Sequence, residues 1–334
     1  MKGYIMQILL NIVFLIVGFV FLIKGADFFI VSSSSIARKF KISPLIIGLT
    51  LVAFGTSLPE LAVSFAASLS ARSQGLTADI AMGNVIGSNM ANITLILGTS
   101  ALIMPVLVHK SMRKREFPFL IGITILIALL GFLFQSDAAI VWWEALILLA
   151  TFAFYMYLMI TSEKDMTEEH LHFVDIKKAV ILLIVGLAGV SIGGFLVTEG
   201  AEYIAIELLT QSGMTVTRAT TLVGLSIVAL GTSLPELVTS AMAAKKGEAD
   251  IALGNVVGSN VFNTLLIVGL SGTIVPLGLN QDVLIDMIIL IGITALVAFL
   301  GYTKNKLSKF DGIMMLSIYV LYITYIILRA LSIV

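Results

Sequence analysis

Long apolar runs separated by short polar segments dominate the chain. A membrane-spanning helix needs about 20 apolar residues, and this length divides the 334-residue sequence into ten predicted spans. The first run stays apolar from Tyr4 to Ile23 and no A-x-A-like cleavage site follows, so we predict a retained span and not a signal peptide. The predicted spans lie at residues 4–31, 44–70, 78–105, 117–135, 140–160, 177–199, 218–244, 249–276, 283–302 and 311–331.

Composition supports a polytopic all-α membrane protein embedded in a lipid bilayer. The chain is 59% hydrophobic and 12% charged, whereas soluble domains carry about 25% charged residues. A formal net charge of zero gives no sign of a nucleic-acid partner. The absence of cysteine excludes disulfides and thiolate metal sites, and the three histidines all fall near predicted loops. Nothing in the sequence indicates a resident cofactor or an obligatory protein partner.

Basic residues predict the orientation of the spans. Loops that follow odd-numbered spans hold 15 of the 20 Lys and Arg residues. By the positive-inside rule these loops are cytoplasmic and both termini are extracellular, in a cell (inner) membrane. The longest polar stretch, residues 161–176, mixes acids and bases and is predicted to be a solvated cytoplasmic linker.

The two halves of the chain repeat each other. The heptamer GTSLPEL occurs at 55–61 and again at 231–237, and GNVIGSN at 83–89 matches GNVVGSN at 254–260. Each half, 1–160 and 177–334, contains five spans, so the second copy must enter the membrane from the opposite side. We therefore predict two inverted five-helix repeats with broken core helices and a substrate site near the midplane, built from segments 48–98 and 224–269.

The heptamer places an acid beside a helix breaker within the membrane. Pro59 and Pro235 interrupt the helical hydrogen bonds and free backbone carbonyls, which need partners inside a membrane. Thr56, Ser57 and Glu60 lie within one turn, so their oxygens can converge. A buried carboxylate in a span is costly, and its occurrence in both copies favours a functional site.

The second motif adds further oxygen groups. Gly83 and Gly87 are predicted to let helices approach closely. Carboxylate, hydroxyl, amide and carbonyl oxygens together suit Ca²⁺ and Na⁺. Asp27 and Glu202 match weakly between the halves, and their assignment stays open between site and ordinary interface residues. The polar residues that step by four along one stripe are Asn84, Ser88 and Asn92 in the first copy and Asn255, Ser259 and Asn263 in the second.

These duplicated motifs resemble those of the Ca²⁺/cation antiporter superfamily, specifically its prokaryotic Na⁺/Ca²⁺ exchanger branch. The resemblance covers the whole chain and implies the sodium/calcium exchanger fold, in which the first and sixth spans slide across a central core. It also implies a set of ion ligands from both repeats. These are the Ala53 carbonyl, Thr56, Ser57, Glu60, Ser88 and Asn92, and the Ala229 carbonyl, Thr232, Ser233, Glu236, Ser259 and Asn263.

The chain departs from several relatives at one position. Where they carry an aspartate equivalent to Asn92 or Asn263, this chain has asparagine at both places. Two carboxylates then remain, which one Ca²⁺ or two Na⁺ would neutralise. The departure leaves proton coupling and stoichiometry open and disfavours K⁺ co-transport.

The sequence therefore predicts a secondary antiporter, not an enzyme, that exchanges Ca²⁺ for Na⁺ and extrudes Ca²⁺. The alternative is a Ca²⁺/H⁺ antiporter of the same fold, which the many oxygen ligands and few acids disfavour. An intramembrane hydrolase would need a nucleophile and a base that the spans lack. A passive channel would not explain the duplicated broken helices.

Overall fold

The computed structural model describes residues 2–133, 138–161, 175–223, 227 and 229–330, and nearly all of them are helical. In the first half the helices are α1 Lys2–Lys39, α2 Pro44–Ile47, α3 Ala53–Thr56, α4 Leu58–Gln74, α5 Asp79–Ala91, α6 Leu97–Ile103, α7 Phe117–Leu133 and α8 Trp142–Thr161. In the second half they are α9 Ile176–Gln211, α10 Val216–Val223, α11 Ala229–Gly231, α12 Leu234–Lys245, α13 Ala249–Val261, α14 Val268–Ile274, α15 Gln281–Lys304 and α16 Lys309–Ala330.

Short irregular elements join these helices. Segments with π-helical hydrogen bonding that lie wholly within the described residues are π1 Gly48–Val52, π2 Asn92–Ile96, π3 Met112–Glu116 and π4 Phe262–Ile267. The strands found in the same part of the chain are β1 Val106–Leu107, β2 Ala139–Ile140, β3 Leu277–Gly278 and β4 Lys306–Leu307. The all-α prediction is confirmed, with these strands as a minor addition.

Within the described residues, eight helices are long and apolar enough to cross a membrane, and one bent pair raises the number to nine. The seventh predicted span, 218–244, includes residues 224–226 and 228, which lie outside the described residues. Its described parts are α10, α11 and α12. The predicted linker also falls mostly on residues 162–174, outside the described ranges. The prediction of ten spans agrees with these eight or nine membrane-spanning helices together with the partly described seventh span.

Helices α1 and α9 form a long pair at the edge of the molecule. They contain 38 and 36 residues, so each is about 55 Å long and exceeds the membrane thickness. Both are longer than predicted because their polar ends continue the helix. The backbones touch at glycines: a Cβ on Gly25 would lie 2.6 Å from the Val190 nitrogen, and one on Gly186 would lie 2.6 Å from the Phe29 nitrogen.

A central core contrasts with this edge. In the span Ala249–Ile274, 94% of the most apolar window is buried, against 17% for the window in α1. Helix α13 packs against α2 and π1 through facing glycines, since a Cβ on Gly254 would lie 2.5 Å from the Leu45 carbonyl oxygen. The four-residue periodicity of small and polar residues thus places the polar motif inside the protein and away from lipid.

Two small antiparallel pairings join the repeats at opposite ends of the molecule. Val106 pairs with Leu307 in β1–β4, and Ala139 pairs with Gly278 in β2–β3. Helix α7 separates β1 from β2, and α15 separates β3 from β4, so the pairings lie on opposite faces. Each pairing joins a strand of the first half to one of the second half, as expected for two repeats that cross the membrane in opposite directions. The face with β1 and β4 is here named the basic face, since it bears Lys39, Lys41, Lys110, Arg113 and Lys306.

The predicted helix breaks are present, two residues before each proline. Ser57 leaves helical geometry with φ −82° and ψ 5°, and Ser233 does so with φ −89° and ψ 4°. The axes before and after Ser57 differ by 46°. Pro59 and Pro235 then occupy the first turn of the following helix, where a missing N–H breaks no hydrogen bond.

Candidate cation-binding site

The two motif glutamates face each other through a reciprocal pair of hydrogen bonds. Ser57 Oγ donates to Glu236 Oε1 at 3.1 Å, and Ser233 Oγ donates to Glu60 Oε1 at 3.2 Å. Both glutamates are 1% exposed, and they are close enough for their charges to repel each other. The helix breaks at Ser57 and Ser233 bring this about, because they turn each serine towards the acid of the other repeat. One oxygen of each carboxylate is thereby held in place.

Oxygens without partners surround this pair. Within the described residues, seven of the twelve predicted ligand residues have a buried side-chain oxygen that no hydrogen bond satisfies. An uncompensated buried oxygen is unfavourable, so such a concentration marks a place where cations fit. The atoms are Glu60 Oε2, Glu236 Oε2, Ser88 Oγ, Ser259 Oγ, Asn92 Oδ1, Asn263 Oδ1 and Thr232 Oγ1.

An asparagine network orients the two amide groups among them. Asn92 Nδ2 donates to Asn260 Oδ1 at 2.8 Å, and Asn263 Nδ2 donates to Asn89 Oδ1 at 3.1 Å. Asn89 is held in turn, since its own Nδ2 donates to Thr264 Oγ1 at 2.8 Å. With their NH₂ groups engaged across the repeats, Asn92 and Asn263 retain their oxygens for the site. Asn89 and Asn260 are absent from the predicted ligand set.

A second layer of amides supports the broken helices. Asn84 Nδ2 donates to Ser64 Oγ at 3.0 Å, and Asn255 Nδ2 donates to Ser240 Oγ at 2.9 Å. Thr56 Oγ1 donates to Asn255 Oδ1 at 3.1 Å. The sequence carries a signal for all of these positions, because Asn84, Asn89 and Ser64 recur at the equivalent places of the second repeat. Repetition alone does not distinguish residues that would bind an ion from residues that hold neighbouring side chains in place.

The predicted set also includes two backbone ligands, the carbonyls of Ala53 and Ala229. The Ala53 carbonyl, directly after π1, accepts the Ser57 N–H at 3.0 Å, and a carbonyl oxygen has a second lone pair. In the second repeat the Ser233 N–H donates instead to the carbonyl of Leu230, at 3.2 Å, one residue after Ala229. Segments π2 and π4 contain Asn92 and Asn263. Such wide turns are frequent at functional sites.

The glycines of the second motif differ between the repeats. Gly254 and Gly258 contact α2, π1 and α3 closely, as predicted for this motif. Around Gly83 and Gly87 the structure shows, within the described residues, no heavy atom within 4 Å of an added Cβ. In the other repeat these contacts come mainly from π1, whose equivalent, 224–228, lies mostly outside the described residues. The close packing expected at Gly83 and Gly87 therefore stays a prediction.

The weakly matching acids lie apart from this constellation. Asp27 Oδ1 forms an ion pair with Lys246 Nζ at 2.6 Å, with both side chains about a third exposed. Glu202 lies half-buried on α9. In the described part of the chain no group of three or more His, Cys, Asp or Glu side chains could hold a metal. The oxygen donors described above are therefore the main candidates for binding an ion.

Comparison with known proteins agrees with this geometry. A sequence profile of the family described as "Sodium/calcium exchanger protein" matches residues 10–161 and 178–328. The sodium/calcium exchanger MaX1 of Methanosarcina acetivorans is 32% identical over 362 aligned positions, covering 95% of this chain and 98% of that protein. The inner membrane protein YrbG of Escherichia coli is 35% identical over 283 positions, covering 80% and 81%.

Solved structures show the same fold. The sodium-calcium exchanger NCX_Mj, in a structure soaked with zero Na⁺ and Ca²⁺, superimposes with a TM-score of 0.80 at 31% sequence identity. The match covers 96% of this chain and 99% of that one. With the profile covering both halves, the chain is a multi-pass membrane protein that belongs to the sodium/calcium exchanger family, a family of transporters.

Proposed function

We propose that the protein is a secondary active antiporter that exchanges Ca²⁺ for Na⁺ by alternating access. The observation that carries the proposal is the cluster of buried oxygens without partners around Glu60 and Glu236. The names of its relatives, a sodium/calcium exchanger and NCX_Mj, support the same pair of ions. The proposed ligands are the twelve residues of the predicted set, with the glutamates at the centre.

Charge explains why one site would exchange the two ions. Glu60 and Glu236 together carry two negative charges in a region without other acids among the predicted ligands. One Ca²⁺ or two Na⁺ neutralise them, whereas both together would leave net positive charge in a medium of low dielectric constant. Binding of one ion type therefore excludes the other, and release on alternate sides of the membrane gives antiport.

The proposed direction and orientation follow from the basic residues. We assign the basic face to the cytoplasm by the positive-inside rule, with both termini outside in a cell membrane. The start of α5 then lies on the extracellular side, and the start of α13, where His109 contacts Asp250, on the cytoplasmic side. An inward Na⁺ gradient across such a membrane would drive Ca²⁺ outward.

Ion flux into proteoliposomes tests the exchange. Purified protein is reconstituted with Na⁺ inside, and uptake of ⁴⁵Ca²⁺ is measured after dilution into Na⁺-free medium, with and without an imposed pH gradient. We expect uptake that requires the Na⁺ gradient and continues when the pH gradient is collapsed. Uptake that ignores Na⁺ and follows the pH gradient would identify the Ca²⁺/H⁺ alternative and reject the proposal.

Substitution of the glutamates tests the site. Glu60→Gln and Glu236→Gln each leave one charge against a divalent ion, and losing one partner of a buried charge pair costs about 3 kcal/mol, or about 100-fold in Ca²⁺ affinity. Exchange at micromolar Ca²⁺ should disappear in both variants. Asp27→Asn, which removes only the acid of the surface pair with Lys246, should retain at least partial transport. Near-normal exchange in either glutamine variant would contradict the assignment.

A further inference from the structure

A deep apolar groove opens at the basic face. It has a volume of about 650 Å³ and lies between the α1–α2 turn, π1, α8 and π4. Aromatic rings form part of its wall: between centroids, Phe262 lies 5.7 Å from Phe54 in a tilted arrangement and 5.0 Å from Phe152 in an edge-on one. At its sides Phe54 and Ile160 are 44% and 74% exposed. The groove therefore opens laterally towards the bilayer.

Positive charges surround the mouth of this groove. Phe40, which lines the mouth, lies between Lys39 and Lys41, and both lysines are exposed. From the other side, Arg115 Nη2 lies 3.8 Å from the sulfur of Met159, another lining residue. Arg115 itself is paired with the buried Glu116, Nε to Oε1 at 2.6 Å, so the uncompensated positive charge at the mouth comes from Lys39 and Lys41.

We propose that this groove binds one acyl chain of an anionic phospholipid, whose phosphate group lies beside Lys39 and Lys41. The apolar walls fit a hydrocarbon chain, and the surrounding bilayer supplies such chains from the side. Basic clusters next to spans attract anionic headgroups. The two exposed lysines at the mouth thus distinguish this place from the general lipid-facing surface.

A lipid in this position would touch the elements that carry the proposed ion ligands. The walls include Thr50 and Leu51 of π1 and Phe262 of π4. Segment π1 directly precedes Ala53, and Phe262 directly precedes Asn263. The bound chain would fill the space beside both irregular segments and hold π1 against α13. Membrane composition would then act on the core without contact with the ions.

Tryptophan quenching by brominated lipids tests this binding without any transport measurement. The two native tryptophans, Trp142 and Trp143, are replaced by phenylalanine, and Phe54→Trp introduces a single fluorophore inside the groove. Protein is reconstituted in phosphatidylcholine with increasing fractions of dibrominated phosphatidylglycerol or dibrominated phosphatidylcholine. We expect the anionic lipid to quench with a relative binding constant about fivefold higher, the effect of roughly one basic residue near a membrane surface.

Matched variants separate the groove from general lipid contact. Phe299→Trp reports a site that is 62% exposed to lipid near Lys304, whose charge is paired with Asp311 at 2.7 Å, and it should show a ratio near one. In the Phe54→Trp protein, Lys39→Gln with Lys41→Gln should bring the ratio of the binding constants of the anionic and the neutral lipid towards one. Both lysines are exposed, so the changes should not impair folding.

The double change Lys306→Gln with Lys309→Gln removes two charges elsewhere on the basic face and should leave the ratio unchanged. Equal quenching by the two lipids in the Phe54→Trp protein would overturn the proposal. An anionic preference that is the same at Phe299→Trp, or that survives Lys39→Gln with Lys41→Gln, would also overturn it.

Discussion

At the scale of single residues, the candidate site contains both atoms engaged in hydrogen bonds and buried oxygens without a partner, which are free for the proposed ions. Each carboxylate has one oxygen bound by a serine of the other repeat and one oxygen without a partner. Asn92 and Asn263 follow the same rule, since their NH₂ groups are engaged and their oxygens are not. Because the supporting partners come from the opposite repeat, the site exists only when both repeats are packed together.

This separation predicts a positioning role for Asn89. In Asn89→Ala, the Asn263 amide loses its acceptor and can rotate its NH₂ group towards the ions. Loss of such a supporting hydrogen bond weakens metal binding by about 10-fold to 100-fold. The Michaelis constant for Ca²⁺ should therefore rise while the maximal exchange rate falls much less, as measured by uptake at varied external Ca²⁺.

The control for that variant is Asn11→Ala. Asn11 is also buried in a span, but its amide donates only within its own helix, to the Gln7 carbonyl at 2.9 Å. Its replacement should leave the Michaelis constant unchanged. A loss of protein expression and maximal rate in Asn89→Ala, with an unchanged Michaelis constant in the remaining protein, would show that Asn89 has a purely structural role.

The residue scale also shows what the sequence could predict. The apolar context, the repetition and the proline marked Glu60 and Glu236 without any structure. Asn89 could not be distinguished from Asn92 in the same way, because both are asparagines on one polar helix and both recur in the second repeat. Their roles differ only in which partner each amide meets across the repeat interface, and this depends on the tertiary packing.

At the scale of elements, breaks and wide turns create the site. The breaks before Pro59 and Pro235 were predictable, because proline has a defined effect on a helix. The π segments were not, since no residue type specifies an extra residue in a turn and the local sequences share no pattern, from the apolar π1 to the charged π3. Close packing was predicted from the glycines of the second motif, and it is found at Gly254 and Gly258. At Gly83 and Gly87 it stays a prediction, because the segment equivalent to π1 lies mostly outside the described residues.

Matched glycine substitutions test the close packing of α13. A Cβ at Gly254 would lie 2.5 Å from the Leu45 carbonyl oxygen and 2.8 Å from the Leu49 nitrogen. Gly254→Ala should therefore lower the free energy of unfolding by about 1–3 kcal/mol, seen as a lower melting temperature in detergent. Gly122→Ala, on the exposed face of α7 with no described heavy atom within 4 Å of an added Cβ, serves as the control and should change the melting temperature little. Equal effects would contradict the role of Gly254 in packing.

At the scale of the whole molecule, ion pairs and a hydrogen bond connect α1 and a neighbouring loop to the core at the basic face. Asp27 of α1 binds Lys246, which follows α12, at 2.6 Å, and Arg38 approaches Glu248 at 3.8 Å. His109 hydrogen-bonds Asp250 at 2.9 Å, and this bond raises the pKa of His109. The imidazolium form therefore persists to higher pH than in a free histidine. These contacts tie the long α1 helix and the loop before π3 to the start of α13.

Because the chain has no cysteine, single cysteines can report which face is open. Gly83→Cys should react readily with a membrane-impermeant maleimide added at the face opposite the basic face. Ala252→Cys, on α13 and fully buried, should react poorly from the basic face. Lys246→Gln removes the ion pair with Asp27. It should lower the labelling rate of Gly83→Cys and raise that of Ala252→Cys. A partly exposed ion pair contributes about 1 kcal/mol, which would change the equilibrium between the two conformations about fivefold.

The control for this last experiment is Lys304→Gln. Lys304 pairs with Asp311 at 2.7 Å within the α15–α16 hairpin and does not touch α1, so both labelling rates should stay as in the parent protein. If α1 closes the basic face through its ion pairs, only Lys246→Gln can shift the equilibrium between the conformations open to the two faces. The labelling rates of the two cysteines must then change in opposite directions. Parallel changes at both cysteines would indicate general loosening, and the assignment of α1 as the closing element would then be wrong.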